Sequence, residues 1–130
     1  MSDYGGKQAW QEELYDLLRS NHVDLFCYVP DGGHKTLINK SIEDPDVISV
    51  PLTTEEEGVA MCAGCHLGGT KSVLLMQSSG VGNCVNMFAL LKNGQFPFVT
   101  LITMRGEFGE MNPWQIPICL LYTSPSPRDS

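Results

Sequence analysis

The sequence predicts an α/β domain, a doubly wound and mostly parallel sheet with helices on both faces. Three observations lead there. Apolar runs at 25–29 (LFCYV) and 72–76 (SVLLM) lack polar alternation, as strands covered on both faces do. The stretches between such runs carry helix-start signals or helical periodicity, so strand follows helix in alternation rather than strand following strand. Breakers such as Pro30-Asp31-Gly32-Gly33 and Gly68-Gly69 fall at the junctions that this alternation needs.

Each element has its own justification. Trp10, Leu14, Leu17 and Leu18 recur at i, i+4, i+7 and i+8, which predicts one face of a helix ending near Ser20 or Asn21. The strand at 25–29 stops at Pro30, which has no N–H, and the glycine pair that follows accepts positive φ. A short helix over 34–41 comes next, then a second strand over 47–50. Thr53 and Thr54 ahead of Glu56 and Glu57 make overlapping capping boxes for a helix running to about Leu67. After the third strand, Ser78-Ser79-Gly80-Val81-Gly82-Asn83 is expected to turn into a helix reaching about Leu91, and 96–103 is the fourth strand. Sites in such sheets lie beyond the strand carboxyl ends, here the segments 30–35, 52–57, 77–83 and 104–117.

The composition narrows the function classes. With 130 residues, 42% of them hydrophobic, the chain is one domain, and no biased tract suggests a collagen-like, disordered or coiled-coil protein. Eight basic against 15 acidic side chains give a net charge of −7, which repels phosphate backbones and anionic lipid, so neither nucleic acid nor membrane is an expected partner. The first residues, MSDYGGKQAWQEEL, do not read as a signal peptide and no run is long enough to span a bilayer, so the expected location is cytoplasmic. Five cysteines, an odd number, are expected as reduced thiols.

Several groups could carry chemistry, and each has a plainer reading. Glu55-Glu56-Glu57 sits where a helix begins, and acidic residues there favour the helix dipole without any catalytic role. A glutamate becomes a poised acid only when its surroundings shift its proton affinity, and burial is not visible in a sequence. Ser79-Gly80-Val81-Gly82-Asn83 lacks the third glycine of a dinucleotide fingerprint and the ending of a P-loop, so a tight strand-to-helix turn explains it as well. Cys62 and Cys65 have the spacing of a redox pair but fall mid-helix, where they read as small core residues. No zinc spacing occurs, and His22 and His66 read as surface or helix-end residues. His34 and Lys35 at a helix start, and Arg105 after the last strand, could grip an anion.

Taken in order, VPDGGHKTLI, TTEEEGVAMCAGCHLGG, VLLMQSSGVGNCVN and ITMRGEFGEMNPWQIP resemble the pyrimidine-binding domain of thiamine-diphosphate enzymes, over about residues 10–117. Within that family the likeness is to phosphonopyruvate decarboxylase and to the alpha subunit of sulfopyruvate decarboxylase. The resemblance implies that Glu55 bonds the aminopyrimidine of the cofactor, because Ala63-Gly64-Cys65-His66-Leu67 matches the family's AGYHL and fixes the count; Glu56 is the alternative one residue on. It implies further that Pro30, Asp31, Gln77, Ser78, Ser79 and Gly80 line the cofactor, and that Lys35, with His34 and Arg105, binds an anionic substrate. The implied reaction is decarboxylation of a small 2-oxo acid, for which thiamine diphosphate is the electron sink.

The chain also departs from the pattern. Asp31-Gly32-Gly33 stands where no downstream Asn completes the GDG motif that holds Mg²⁺ in the diphosphate-binding half. No metal ligand is therefore expected in this chain; the Mg²⁺ ligands belong to a diphosphate-binding subunit or a missing C-terminal domain, in a homo- or hetero-oligomer. Residues 1–117 are read as a partial pyrimidine-binding domain, while 118–130 resemble translated adapter sequence and are expected to be a non-native tail. Competing expectations are an acetolactate-synthase-like carboligase, a non-catalytic module that docks on a partner subunit, and a generic nucleotide-binding α/β domain.

Overall fold

The structure, a computed structural model, describes residues 2–104. Helix α1 (Ser2–Ser20) leads into strand β1 (Val23–Tyr28), a single 3₁₀ turn (Gly32–His34) and helix α2 (Lys35–Glu43). Strand β2 (Ile48–Pro51), helix α3 (Glu55–Leu67), strand β3 (Lys71–Gln77), helix α4 (Ser78–Gly94) and strand β4 (Thr100–Thr103) follow. The four strands form one all-parallel sheet in the order β2-β1-β3-β4. The doubly wound α/β class expected from the alternation is the one observed.

Two cores clothe the sheet. On one face Phe26, Tyr28, Val73 and Leu75 pack with Tyr15 of α1 and Leu37 and Ile38 of α2. On the other, Leu25, Cys27, Leu74 and Met76 pack with Val59 and Cys62 of α3 and Cys84 of α4. Alternate residues of β1 and β3 thus enter opposite cores, which is why neither strand shows a polar period. The sheet order reverses between β1 and β3, and the crevice beyond their carboxyl ends is where such folds place ligands.

Three expectations about elements need correction. The stripe of α1 that faces the sheet is Gln11, Leu14, Tyr15 and Leu18, while Trp10 and Leu17 are exposed. Two residues with polar ends take inner positions because those ends find partners: the Gln11 amide bonds the turn after β1, and the Tyr15 hydroxyl donates to Asp44 at 2.8 Å. No loop separates β3 from α4, whose first helical residue is Ser78 with Gln77 as extended N-cap. And β4 begins at Thr100 instead of 96, since Gln95 closes α4 in the left-handed conformation and Pro97 has no N–H for the ladder.

Candidate active site

The residues singled out from the sequence gather at the carboxyl ends of the strands, in two groups. The first surrounds Glu55, the first residue of α3, whose side chain is 7% exposed. Its Oε2 accepts a hydrogen bond from Asn83 Nδ2 on α4 at 2.8 Å. The rest of its carboxyl group lies against Gly80: a Cβ added there would stand 2.5 Å from Glu55 Cγ and 2.7 Å from both Cδ and Oε1. Gly80 is therefore required for close approach of a neighbouring side chain, not for the turn expected at this position. Burying a carboxylate costs several kcal/mol unless polar groups replace water. The free N–H groups and dipole at the start of α3 supply part of that replacement, and the Asn83 amide a further part.

The three consecutive glutamates are told apart by this geometry. Glu56 is exposed, and Glu57 Oε2 accepts from the Thr53 backbone N–H at 3.0 Å, the reach-back half of the expected capping box. The forward half is missing, because the side chain of the N-cap Thr54 makes no capping bond. Only Glu55 of the triplet turns into the protein. Its charge, after burial, is the next cause that pushes the Cys84 thiol up to about 11, which keeps that sulfur protonated at neutral pH.

The second group is the turn after β1. Asp31 Oδ2 accepts from Thr103 Oγ1 of β4 at 2.6 Å, and Gly33 packs so closely on Thr103 that a Cβ would meet its Cγ2 at 2.5 Å. Since β3 lies between β1 and β4, the turn folds across the end of β3. From beneath, Gln11 joins it to the start of α2, donating to Gly33 O at 3.1 Å and accepting from the Leu37 N–H at 3.2 Å. His34 is 2% exposed; its Nε2 lies 3.2 Å from Met76 O, and Nδ1 is buried with no hydrogen-bond partner among the described residues. The ring accordingly ties the turn to the residue just ahead of Gln77.

Of the other expected site residues, Gln77 ends β3, and Ser78, Ser79 and Gly80 are buried in the first turn of α4. Pro30 is exposed and Asp31 half-buried beside the 3₁₀ turn, and Lys35 is exposed at the first position of α2. Arg105 and the segment 105–117 lie outside the described residues, as does the tail 118–130. Among the described residues no three His, Cys, Asp or Glu side chains come together to hold a metal ion, and no helix is long and apolar enough to cross a membrane. Sequence reasoning missed three residues that shape the site: Gln11, Asn83 and Thr103. Gln11 had a signal, its place on the helical face of Leu14 and Leu18, whereas Thr103 meets Asp31 across 72 residues and had none.

Comparison with known proteins supplies the remaining findings. No family model matches the chain. It is 41% identical over 106 residues to the sulfopyruvate decarboxylase subunit alpha of Methanocaldococcus jannaschii, an alignment covering 81% of this chain and 63% of that one. It is 39% identical over 108 residues to the protein of the same name from Methanococcus maripaludis, covering 82% and 65%. Phosphonopyruvate decarboxylase of Streptomyces viridochromogenes is 40% identical over 89 residues, 68% of this chain and 22% of its own. The chain thus spans somewhat less than two thirds of the alpha subunits it matches.

Proposed function

The chain is a homologue of sulfopyruvate decarboxylase alpha subunits and of phosphonopyruvate decarboxylase, and from that premise we propose that it is the pyrimidine-binding part of a thiamine-diphosphate-dependent decarboxylase of an anionic 2-oxo acid. The observation that carries this reading is the buried Glu55 carboxylate between the starts of α3 and α4. A carboxyl group held out of water, with one oxygen fixed by the Asn83 amide, suits a heteroaromatic ring whose nitrogen shares a proton with it. The residues present therefore fit the pyrimidine half of the cofactor. When bound, thiamine diphosphate supplies the electron sink for loss of carbon dioxide, and the protein supplies orientation and proton control.

In this reading Glu55 holds and moves the proton at the ring nitrogen. Asn83 keeps Oε2 in place, leaving Oε1 to meet the ring, and the first turn of α4, Ser78 to Gly80 after Gln77, forms the wall beside it. Pro30 and Asp31 line the other side, where Thr103 and Gln11 fix the turn. Lys35 presents its charge to solvent at the same sheet end and is assigned to the phosphonate or sulfonate of the substrate. Arg105 is assigned to the same anion, and His34 helps from beneath by holding the turn to Met76. The diphosphate and Mg²⁺ are assigned to a partner subunit or a further domain, since the relatives named alpha subunits imply a second subunit. Residues 1–117 are assigned to the domain and 118–130 to a non-native tail, on the adapter-like sequence of the latter.

The test is Glu55→Gln in the enzyme assembled with its diphosphate-binding partner, with carbon dioxide release measured from sulfopyruvate and from phosphonopyruvate. General acid–base catalysis contributes roughly 10²- to 10⁴-fold, and turnover is expected to fall by that much. Unchanged turnover removes Glu55 from catalysis. A product analysis giving an acyloin in place of an aldehyde moves the protein to the carboligases.

A further inference from the structure

Cys62 and Cys65 have the spacing of a redox pair and read as small core residues, but the fold sets Cys62 against another sulfur. Cys62 faces the sheet, and its Sγ lies 3.8 Å from Sγ of Cys27, the penultimate residue of β1. Cys65, one turn on, is only half-buried. Cys62 also lines a cavity of about 320 Å³ at the amino-terminal end of the sheet, the end away from Glu55, together with His66, Lys71, Ser72 and Phe98. Cys27 is fully buried behind it and is not part of the cavity wall. The arrangement is that of a thiol, 2% exposed, at the wall of a cavity with a second thiol in contact behind it.

We propose that Cys62 is an oxidation site for small hydroperoxides entering this cavity and that Cys27 is its resolving thiol, the product being a Cys27–Cys62 disulfide. In the first step the Cys62 thiolate attacks one peroxide oxygen; the S–O bond forms, the O–O bond breaks, and the departing oxygen takes a proton to leave as an alcohol, or as water from hydrogen peroxide. In the second, the Cys27 sulfur attacks Cys62 Sγ; the S–S bond forms, the S–O bond breaks, and hydroxide leaves as water with the Cys27 proton. Two thiols lose two electrons, and one peroxide gains them.

The cavity assigns these roles, since Cys62 borders it and Cys27 does not. The sulfur contact with Cys27 is the first cause that lowers the Cys62 pKa; burial opposes it, and the Ser72 hydroxyl adds to the lowering. Cys27 is shifted the other way by the same shared bond and by its deeper burial, and keeps its proton until the sulfenic acid is in front of it. Cys65 is raised by burial and then by Cys62, which makes it the poorer nucleophile. Entropy alone selects the opposite partner: closing the three-residue separation from Cys62 to Cys65 costs less than closing the 35 residues from Cys27. A Cys27–Cys62 bond therefore reports the folded sheet.

The full chain is treated with stoichiometric hydrogen peroxide, its remaining thiols are alkylated, and the peptides are mapped without reduction. The expected result is a Cys27 peptide joined to a Cys62 peptide, lighter by two hydrogens, in native buffer and not in urea. Cys65→Ser leaves this bridge in place. Cys27→Ala removes it, and the Cys62 sulfenic acid then reacts with dimedone. A Cys62–Cys65 bridge in native buffer overturns the proposal, as does equal bridging in urea, or a Cys62 that stays alkylatable after Cys65 has been oxidised. If Cys27→Ala does not fold, the wild-type and Cys65→Ser maps decide alone.

Discussion

Adding one methyl group at Gly80 tests the packing around Glu55 more directly than deleting the carboxylate. The new Cβ in Gly80→Ala would sit 2.5 Å from Glu55 Cγ, and ordinary contact begins at 3.4 Å, so the side chain must retreat by about 0.9 Å. The Asn83 bond starts at 2.8 Å, and a retreat of that size away from α4 stretches it beyond hydrogen-bonding range. Overpacking of this kind costs roughly 1–3 kcal/mol. Replacing a helical glycine by alanine gives back up to about 1 kcal/mol, leaving a net loss of up to about 2 kcal/mol. Gly64→Ala on α3 is the matched control, because nothing lies within 4 Å of its Cβ and only the helix gain remains. Urea midpoints of the two variants should move in opposite directions. In the assembled enzyme a catalytic group displaced by about 1 Å loses on the order of 10²-fold in rate. If Gly80→Ala matches wild type in midpoint and in turnover, the close approach of Glu55 to α4 is wrong and so is the role argued from it.

Three further outcomes follow from the same contacts. Asn83→Ala leaves the buried carboxylate without its amide donor and should cost about 1–3 kcal/mol in urea unfolding, with Asn83→Gln not restoring the site because its extra methylene misplaces the amide. Thr103→Val keeps the shape that Gly33 packs on but removes the 2.6 Å bond to Asp31; hydrogen exchange at the His34 N–H, which bonds Asp31 O, should accelerate while that of β1 amides does not. The carboxyl group of Asp44 is held below the usual carboxylate range, first by the Asp46 backbone N–H and then by the Tyr15 hydroxyl, with Arg19 adding. A depressed folded pKa contributes stability above the unfolded value of roughly 4 and loses it as pH falls through the folded value. The urea midpoint should accordingly drop on acidification below about pH 4, and by less in Tyr15→Phe.

The sheet, its parallel sense and the location of its ligand-facing end were legible because they depend on periodicities of a few residues. The apolar runs 25–29 and 72–76 announced strands that the structure places at Val23–Tyr28 and Lys71–Gln77. Glu55 was legible only through resemblance, since residues 55, 56 and 57 are chemically the same and differ in what the fold sets against them. What buries the first of them is a glycine 25 residues later on another helix, and no local pattern encodes that distance. The inner face of α1 misled for a related reason: Trp10 is the more hydrophobic residue, but Gln11 and Tyr15 have polar partners waiting on the sheet side. Cys62 was legible as a small core residue, but not the sulfur it touches, which is 35 residues away.

The bond between Thr103 and Asp31 also sets a timetable. The turn it secures is made early in synthesis, yet its anchor is 72 residues further along the chain. At the usual 5–20 residues per second a ribosome needs about 4–15 s to cover that span. During this interval Gln11 can already hold the turn from one side, while Asp31 has no strand β4 to close on. The ligand-facing corner of the domain is therefore finished by the last strand described here, and a partner that needs it closed has nothing to recognise until β4 has joined the sheet.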